Sequence, residues 1–281
     1  MSTGNRLLFF LTAWLIVLMP FLFWWNTWFG RHLSDKQLAE YLQDKKHPRH
    51  IQHALVQIGE RMSRHDSSVT RWYPDAIRLA SDPVEEVRNT DAWVMGQDTS
   101  GAGFHEALLR MLADPSLMVR GNAALSLVRF GDATGRPQIV ELLQPARVNA
   151  PDAGRITDTS AIGTSIHQGG VVATLQVGGN ASGNADGNVG AMHTTEIRSP
   201  ITGRLRALSA QVAQQVKRGD LIATIDPSTE QVWEALRALY LVGQPEDIAA
   251  VLPYERELPG ISDQVRQQAL ETEKAIRQRM K

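Results

Sequence analysis

The 281-residue chain contains no cysteine, which removes disulfides, thiolate metal sites and cysteine nucleophiles together. That absence suits the cytoplasm and the periplasm equally. A charge imbalance is lacking too. There are 29 basic residues against 30 acidic ones, and the basic residues are scattered along the chain, so nucleic acid is not an expected partner. Ser, His and Asp are all present, but no Gly-x-Ser-x-Gly or equivalent nucleophile context occurs. Residues 147–216 hold no lysine at all. With 43% hydrophobic residues, the chain is long enough for about two compact domains at roughly 100 to 200 residues each.

What is there begins with an apolar run. Residues 7–29 carry no charge and are rich in Leu, Phe and Trp, long enough to cross a hydrocarbon core that needs about 20 residues. The run predicts an N-terminal transmembrane helix, with residues 1–30 as the anchor. Trp24, Trp25 and Trp28 crowd its C-terminal end, where amphipathic rings favour the headgroup layer, and Pro20 marks a kink. No A-x-A site follows before Arg31, so an uncleaved anchor is preferred to a signal peptide. Arg6 on one side and Arg31, Lys36 and Lys45 on the other give a positive-inside count that does not favour an exported C-terminus.

Beyond the anchor the pattern becomes short amphipathic stretches broken by Asp-Pro pairs. Leu79-x-x-Asp82-Pro83-x-x-x-Val87-Arg88 is matched by Leu112-x-Asp114-Pro115-x-x-x-Val119-Arg120, about one helical-hairpin period later. A small-residue stretch with Ala123, Ala124, Leu125 and Leu127 then ends at Gly131, as expected of a close-packed helix stopped by glycine. This resembles the HEAT repeat family, in which Asp-Pro suits the turn between paired helices. A degenerate earlier copy covers residues 34–62, with Pro48 in place of Asp-Pro. A further copy opens at residues 136–143, is interrupted, and resumes at Asp226-Pro227-Ser228 with a helix carrying Val232, Trp233, Leu236 and Leu239. A last helical pair, residues 246–252 and 262–279, closes the array with a charged tail.

The interruption is a duplication. Val148-x-x-Pro151-x-x-Gly154-Arg155-Ile156 is answered by Ile197-x-x-Pro200-x-x-Gly203-Arg204-Leu205, and Ile166-x-x-Gly169-x-Val171-x-Ala173-Thr174-Leu175 by Val216-x-x-Gly219-x-Leu221-x-Ala223-Thr224-Ile225. Each half alternates short β-type runs with Gly or Pro, which argues for a small barrel or sandwich. The wording resembles the biotinyl/lipoyl half-motif and comes closest to HlyD-type periplasmic adaptors, the membrane-fusion proteins. That resemblance implies a barrel-sandwich hybrid made of two halves. Biotinyl and lipoyl carriers attach their cofactor to a lysine in the hairpin joining the halves; with none in residues 147–216, no cofactor is expected. Residues 178–188 are Gly- and Asn-rich and read as a flexible joining loop where the adaptors carry a long helical hairpin.

Other chemistry is weighed and set aside. One Asp and three Asn in residues 178–188 supply too few carboxylates for calcium. His47, His50 and His53 recur every three residues with His65 nearby; Pro48 is read as interrupting their helix and no carboxylate as completing a ligand set, so solvated histidines are expected. His105-Glu106 resembles half of the paired His-Glu di-iron motif of deoxyhypusine hydroxylase-like HEAT proteins, but without a partner it reads as a surface dipeptide. Trp93, Leu125 and Trp233 are expected in the core. No catalytic, cofactor-binding or metal-ligating residue is therefore expected.

The expected fold is α+β: an N-terminal transmembrane helix at 1–30, HEAT-like helical repeats at 34–145, an inserted biotinyl/lipoyl-like β-domain at 146–226, and continued repeats at 227–281. The expected function is a non-enzymatic, membrane-anchored scaffold or adaptor whose soluble part is periplasmic and whose partners are proteins, such as an inner-membrane transporter in an envelope transport or efflux assembly. Two alternatives stand beside it: a cofactor- or metal-carrying enzyme-associated protein, and a cytoplasm-facing HEAT regulator.

Overall fold

The computed structural model describes residues 32–178, 193–256 and 260–279, together with Thr12, Trp14, Leu18 and Met19. The chain divides into two compact units, one ending at Val94 and the other beginning at Met95. The first unit is helical: α1 (Asp35–Leu42), α2 (Pro48–Ser63), a 3-10 turn (Ser67–Trp72), α3 (Tyr73–Leu79) and α4 (Glu85–Met95). Ser34 starts α1 with a capping box, its hydroxyl accepting from Gln37 N while the Gln37 side chain accepts from Ser34 N, so two amide donors are satisfied reciprocally. Pro48 opens α2 at its first turn, where a missing N–H costs nothing. The buried stripe of α2, Ile51, Leu55, Ile58 and Met62, follows helical spacing and packs α1.

The second unit opens with α5 (Phe104–Met111), α6 (Leu117–Arg129) and α7 (Arg136–Leu142), passes through eight strands, and closes with α8 (Thr229–Val242), a short α9 (Ile248–Val251) and α10 (Asp263–Arg279). Although the strands separate α7 from α8 in sequence, Ile139 and Leu142 share one core with Val232, Leu236, Leu239, Val265 and Ala269. Gln231 donates to the carbonyl of Leu142 at 2.9 Å and the Tyr254 hydroxyl to that of Leu143 at 2.6 Å. The chain thus leaves and re-enters the helical core at one place. The two Asp-Pro turns are alike: Val84 N donates to the Asp82 carboxylate at 2.9 Å and Ser116 N to that of Asp114 at 2.8 Å. Arg88 and Arg120 each reach back to the carbonyl of that Asp, at 2.8 Å in both.

The strands are β1 (Ala146–Asn149), β2 (Gly154–Thr159), β3 (Ser165–Ile166), β4 (Val171–Val177), β5 (His193–Arg198), β6 (Gly203–Leu208), β7 (Gln215–Val216) and β8 (Leu221–Pro227). They form two antiparallel sheets, ordered β1-β8-β6-β3 and β5-β4-β2-β7.

Two expectations are corrected. Among the described residues no helix is long and apolar enough to cross a membrane; the longest, α10, has 17 residues and is strongly polar, against about 20 apolar residues needed. The N-terminal transmembrane helix, and with it the single-pass anchor and the periplasmic placement that rested on it, is therefore not sustained; most of residues 7–29 lies outside the described residues. HEAT-like repeats over residues 34–145 are not confirmed: the helices there run from 7 to 16 residues, and the chain divides into two units between Val94 and Met95. The architecture is about half helical with two small antiparallel sheets.

Candidate functional site

The β-domain is built on a pseudo-two-fold relation that the duplicated sequence dictates. Matching β1 to β5, β2 to β6, β3 to β7 and β4 to β8 converts one sheet order into the other. Each sheet takes two strands from each half, so the halves interlock and neither completes a sheet alone. Registers obey the same relation: Val148 pairs with Ala223 as Ile197 pairs with Ala173. Bulges fall at equivalent places, after Ile156 in β2 and after Leu205 in β6, where an extra residue bends the strand and tightens the barrel. Ile156, Leu205, Val172, Ile222, Leu175 and Ile225 are buried completely in the shared core, each side chain contributing about 1.5–3 kcal/mol.

Glycine is required at the crossing points. A Cβ on Gly154 would sit 2.3 Å from the carbonyl oxygen of Gln176, and one on Gly203 1.9 Å from that of Asp226; both obstacles are backbone. Gly169 and Gly219 adopt φ of +77° and +88° in equivalent turns, where Gly169 N donates to Ser199 O and Gly219 N to Ala150 O. One turn breaks the rule. Gly163, at φ +88°, has Ala213, at φ +72°, as its counterpart, and beside them Ile162 and Val212 stand 63% and 54% exposed. The barrel therefore displays two apolar turn tips at related positions. Residues 179–192, which hold most of the expected joining loop, lie outside the described residues.

The histidines are arranged differently from the sequence expectation. Pro48 begins α2 and does not interrupt it, so His47 becomes the N-cap and His50 enters the first turn. Asp44, in the preceding turn, completes a group of three: its Oδ2 lies 2.9 Å from His47 Nδ1 and 2.7 Å from His50 Nδ1. Hydrogen bonds from His47, then His50, hold the Asp44 carboxyl down at about 2. Among the described residues this is the group of His, Asp or Glu side chains able to converge on an ion. His53 lies outside it. Leu33 N donates to Gln57 Oε1 at 2.8 Å, which orients the Gln57 amide to donate to His53 Nε2 at 2.8 Å; that ring nitrogen is an acceptor, and burial lowers the His53 pKa in the same sense. The missed residue was Asp44, and the three-residue step from Asp44 to His47 to His50 was the available signal.

His105 Nε2 meets Asp132 Oδ2 at 2.7 Å and packs on Phe130, tying α5 to the turn after α6, while Glu106 is exposed. Neither belongs to the ion-competent group. Leu125 and Trp233 pack half-buried against the helical core, Trp233 beneath the Arg237 guanidinium at 4.5 Å. Trp93 is 39% exposed, so it is not a core residue.

Residues 193–274 match the RND MFP barrel-sandwich hybrid domain, beginning with β5 and running beyond the barrel. Among curated proteins, Multidrug resistance protein MdtA from Escherichia coli O139:H28 is 50% identical over 46 residues, 16% of this chain and 11% of that protein. The same protein from Escherichia coli strain SMS-3-5 and from Shigella boydii serotype 18 gives the same figures. The chain therefore matches about a tenth of the length of these relatives. A crystal structure of an engineered protein aligns over 88% of this chain and 98% of its own, at 13% identity and a TM-score of 0.36, too low to bear on the fold. The chain carries a barrel-sandwich hybrid domain of the membrane-fusion type.

Proposed function

We propose that the chain is a non-enzymatic adaptor whose barrel-sandwich domain docks a protein partner, namely a transporter subunit of an envelope transport or efflux assembly. The observation that carries this reading is the interlocked two-half barrel, whose second half, β5 to β8, lies within the match to the membrane-fusion barrel-sandwich domain. The lysine-free stretch at residues 147–216 argues against the cofactor-carrier use of this architecture, since an acylated amine is what such carriers need. The exposed tips at Ile162 and Val212 are the apolar side chains that the barrel offers to such a partner.

Co-purification from the native host after mild crosslinking tests it. The expected result is recovery of a transporter subunit with the wild-type chain, and at least tenfold less with Ile162→Asp/Val212→Asp that retains its circular dichroism and melting temperature. Recovery of the chain alone under several crosslinking conditions contradicts the reading.

A further inference from the structure

We propose that Asp44, His47 and His50 form a binding site for a divalent transition-metal ion of the zinc, nickel or copper(II) class. The three ligand atoms lie within 4.8 Å of one another, and one carboxylate oxygen serves both imidazoles, at 2.9 and 2.7 Å. A tetrahedral ion bound at about 2.0–2.1 Å to nitrogen and oxygen holds its ligand atoms roughly 3.4 Å apart. Each imidazole has to move away from the Asp44 oxygen by about 0.5 to 0.7 Å to admit it, a change within the reach of side-chain torsions. Each neutral imidazole then carries its proton on Nε2 instead of Nδ1, so the exchange needs no co-reactant.

The donors are held in place by their own elements. Asp44 sits in the turn after α1, where its Oδ1 accepts from Lys46 N at 3.2 Å. His47 is the N-cap of α2, and Pro48 fixes the backbone that follows. The ring of His50 stacks on Tyr41 of α1, centroids 4.3 Å apart and planes within 11°. An ion would thus link the two helices of this pair through a seven-residue stretch. The donor set chooses the ion. Two imidazoles with one carboxylate suit zinc, nickel or copper(II), whereas magnesium and calcium prefer all-oxygen sites. Three protein ligands leave a position for water or a small ligand, and the His47 side chain, 62% exposed, leaves the site open to solvent. Lys45, Lys46 and Arg49 flank it and lower cation affinity through repulsion that salt screens, so the site is of the exchangeable kind.

Equilibrium dialysis of the full chain, made without a polyhistidine tag and stripped with chelator, tests the assignment with zinc, nickel and copper(II). One ion per chain is expected, with affinity falling at least tenfold in Asp44→Asn and in His50→Ala and staying within twofold in His53→Ala and His65→Ala. Electron paramagnetic resonance of the copper(II)-loaded wild type, which needs no variant to fold, is expected to show two imidazole nitrogens. Binding unaffected by Asp44→Asn and His50→Ala, fewer than two nitrogens, or no binding up to millimolar ion overturns it.

Discussion

Replacing Asp91 by asparagine perturbs one property of the amino-terminal unit, the charge of a carboxyl that has been taken out of water. Asp91 lies in α4 with no exposed surface, and among the described residues neither carboxylate oxygen has a hydrogen-bond partner. Burial pushes its pKa well above the ordinary 3.8, the Arg78 guanidinium opposing the rise and the Asp82 carboxylate adding to it. The native protein therefore keeps a proton that the unfolded chain releases above about pH 3.8. Because the native state binds the extra proton, stability falls as pH rises from that value and levels off only above the folded-state pKa. The slope for one proton is about 1.4 kcal/mol per pH unit. Asparagine has nearly the shape of the protonated acid but brings one further N–H donor into the buried site, a pH-independent cost of about 1–3 kcal/mol, so the pH dependence of the difference isolates ionisation. Urea unfolding of both full-length proteins from pH 3 to 8 is the assay. The variant is expected to be less stable by that constant near pH 3 and to gain on the wild type at up to that slope as pH increases. Parallel curves across the whole range would refute the reasoning, since they would mean that the Asp91 charge is compensated.

Gly203→Ala and Gly154→Ala each drive a Cβ into a backbone carbonyl across the barrel; a loss of about 3 kcal/mol, the upper end for overpacking, is expected in thermal melts, with Gly203 the more severe. Ala213→Gly relieves a left-handed alanine worth about 1–2 kcal/mol of strain, offset by about 0.5–1 kcal/mol of glycine entropy, so a gain of up to about 1.5 kcal/mol is expected in the same thermal melts, while Gly163→Ala loses stability. Arg136→Ala leaves the Asp247 side chain, 8% exposed, without the guanidinium that meets it at 3.0 Å and with Gln244 N as its remaining donor, and a cost of up to about 3 kcal/mol is expected by urea titration.

The features legible in the sequence are those encoded by local spacing. Asp82-Pro83 and Asp114-Pro115 announced two turns of the same construction, and Gly154 and Gly203 announced the equivalent crossings of the duplicated unit. Long-range consequences were not legible. That β1 and β3 of the first half pair with β8 and β6 of the second is a matter of register between distant strands, which no local period carries. Pro48 reads as a helix breaker in the sequence because its spacing says nothing of whether a helix ends or begins there; only the cap geometry at His47 decides, and with it the place of Asp44. The burial of Asp91 carries no sequence signal, since it depends on what packs around α4. Uncharged length at residues 7–29 reads as a membrane helix, yet no helix among the described residues is long and apolar enough to cross a membrane; the HEAT spacing describes a period and carries no information on packing, and it is not confirmed.

The central claim is that the barrel-sandwich domain docks a transporter subunit through its turn tips, and a photo-crosslinking amino acid placed at Ile162 or at Val212 in the native host tests it most directly. A crosslink from these positions to one transporter subunit is expected, and none from Lys217, in the turn at the other end of β7 from Val212. Crosslinks absent from both tips, or equally strong from Lys217, would contradict it.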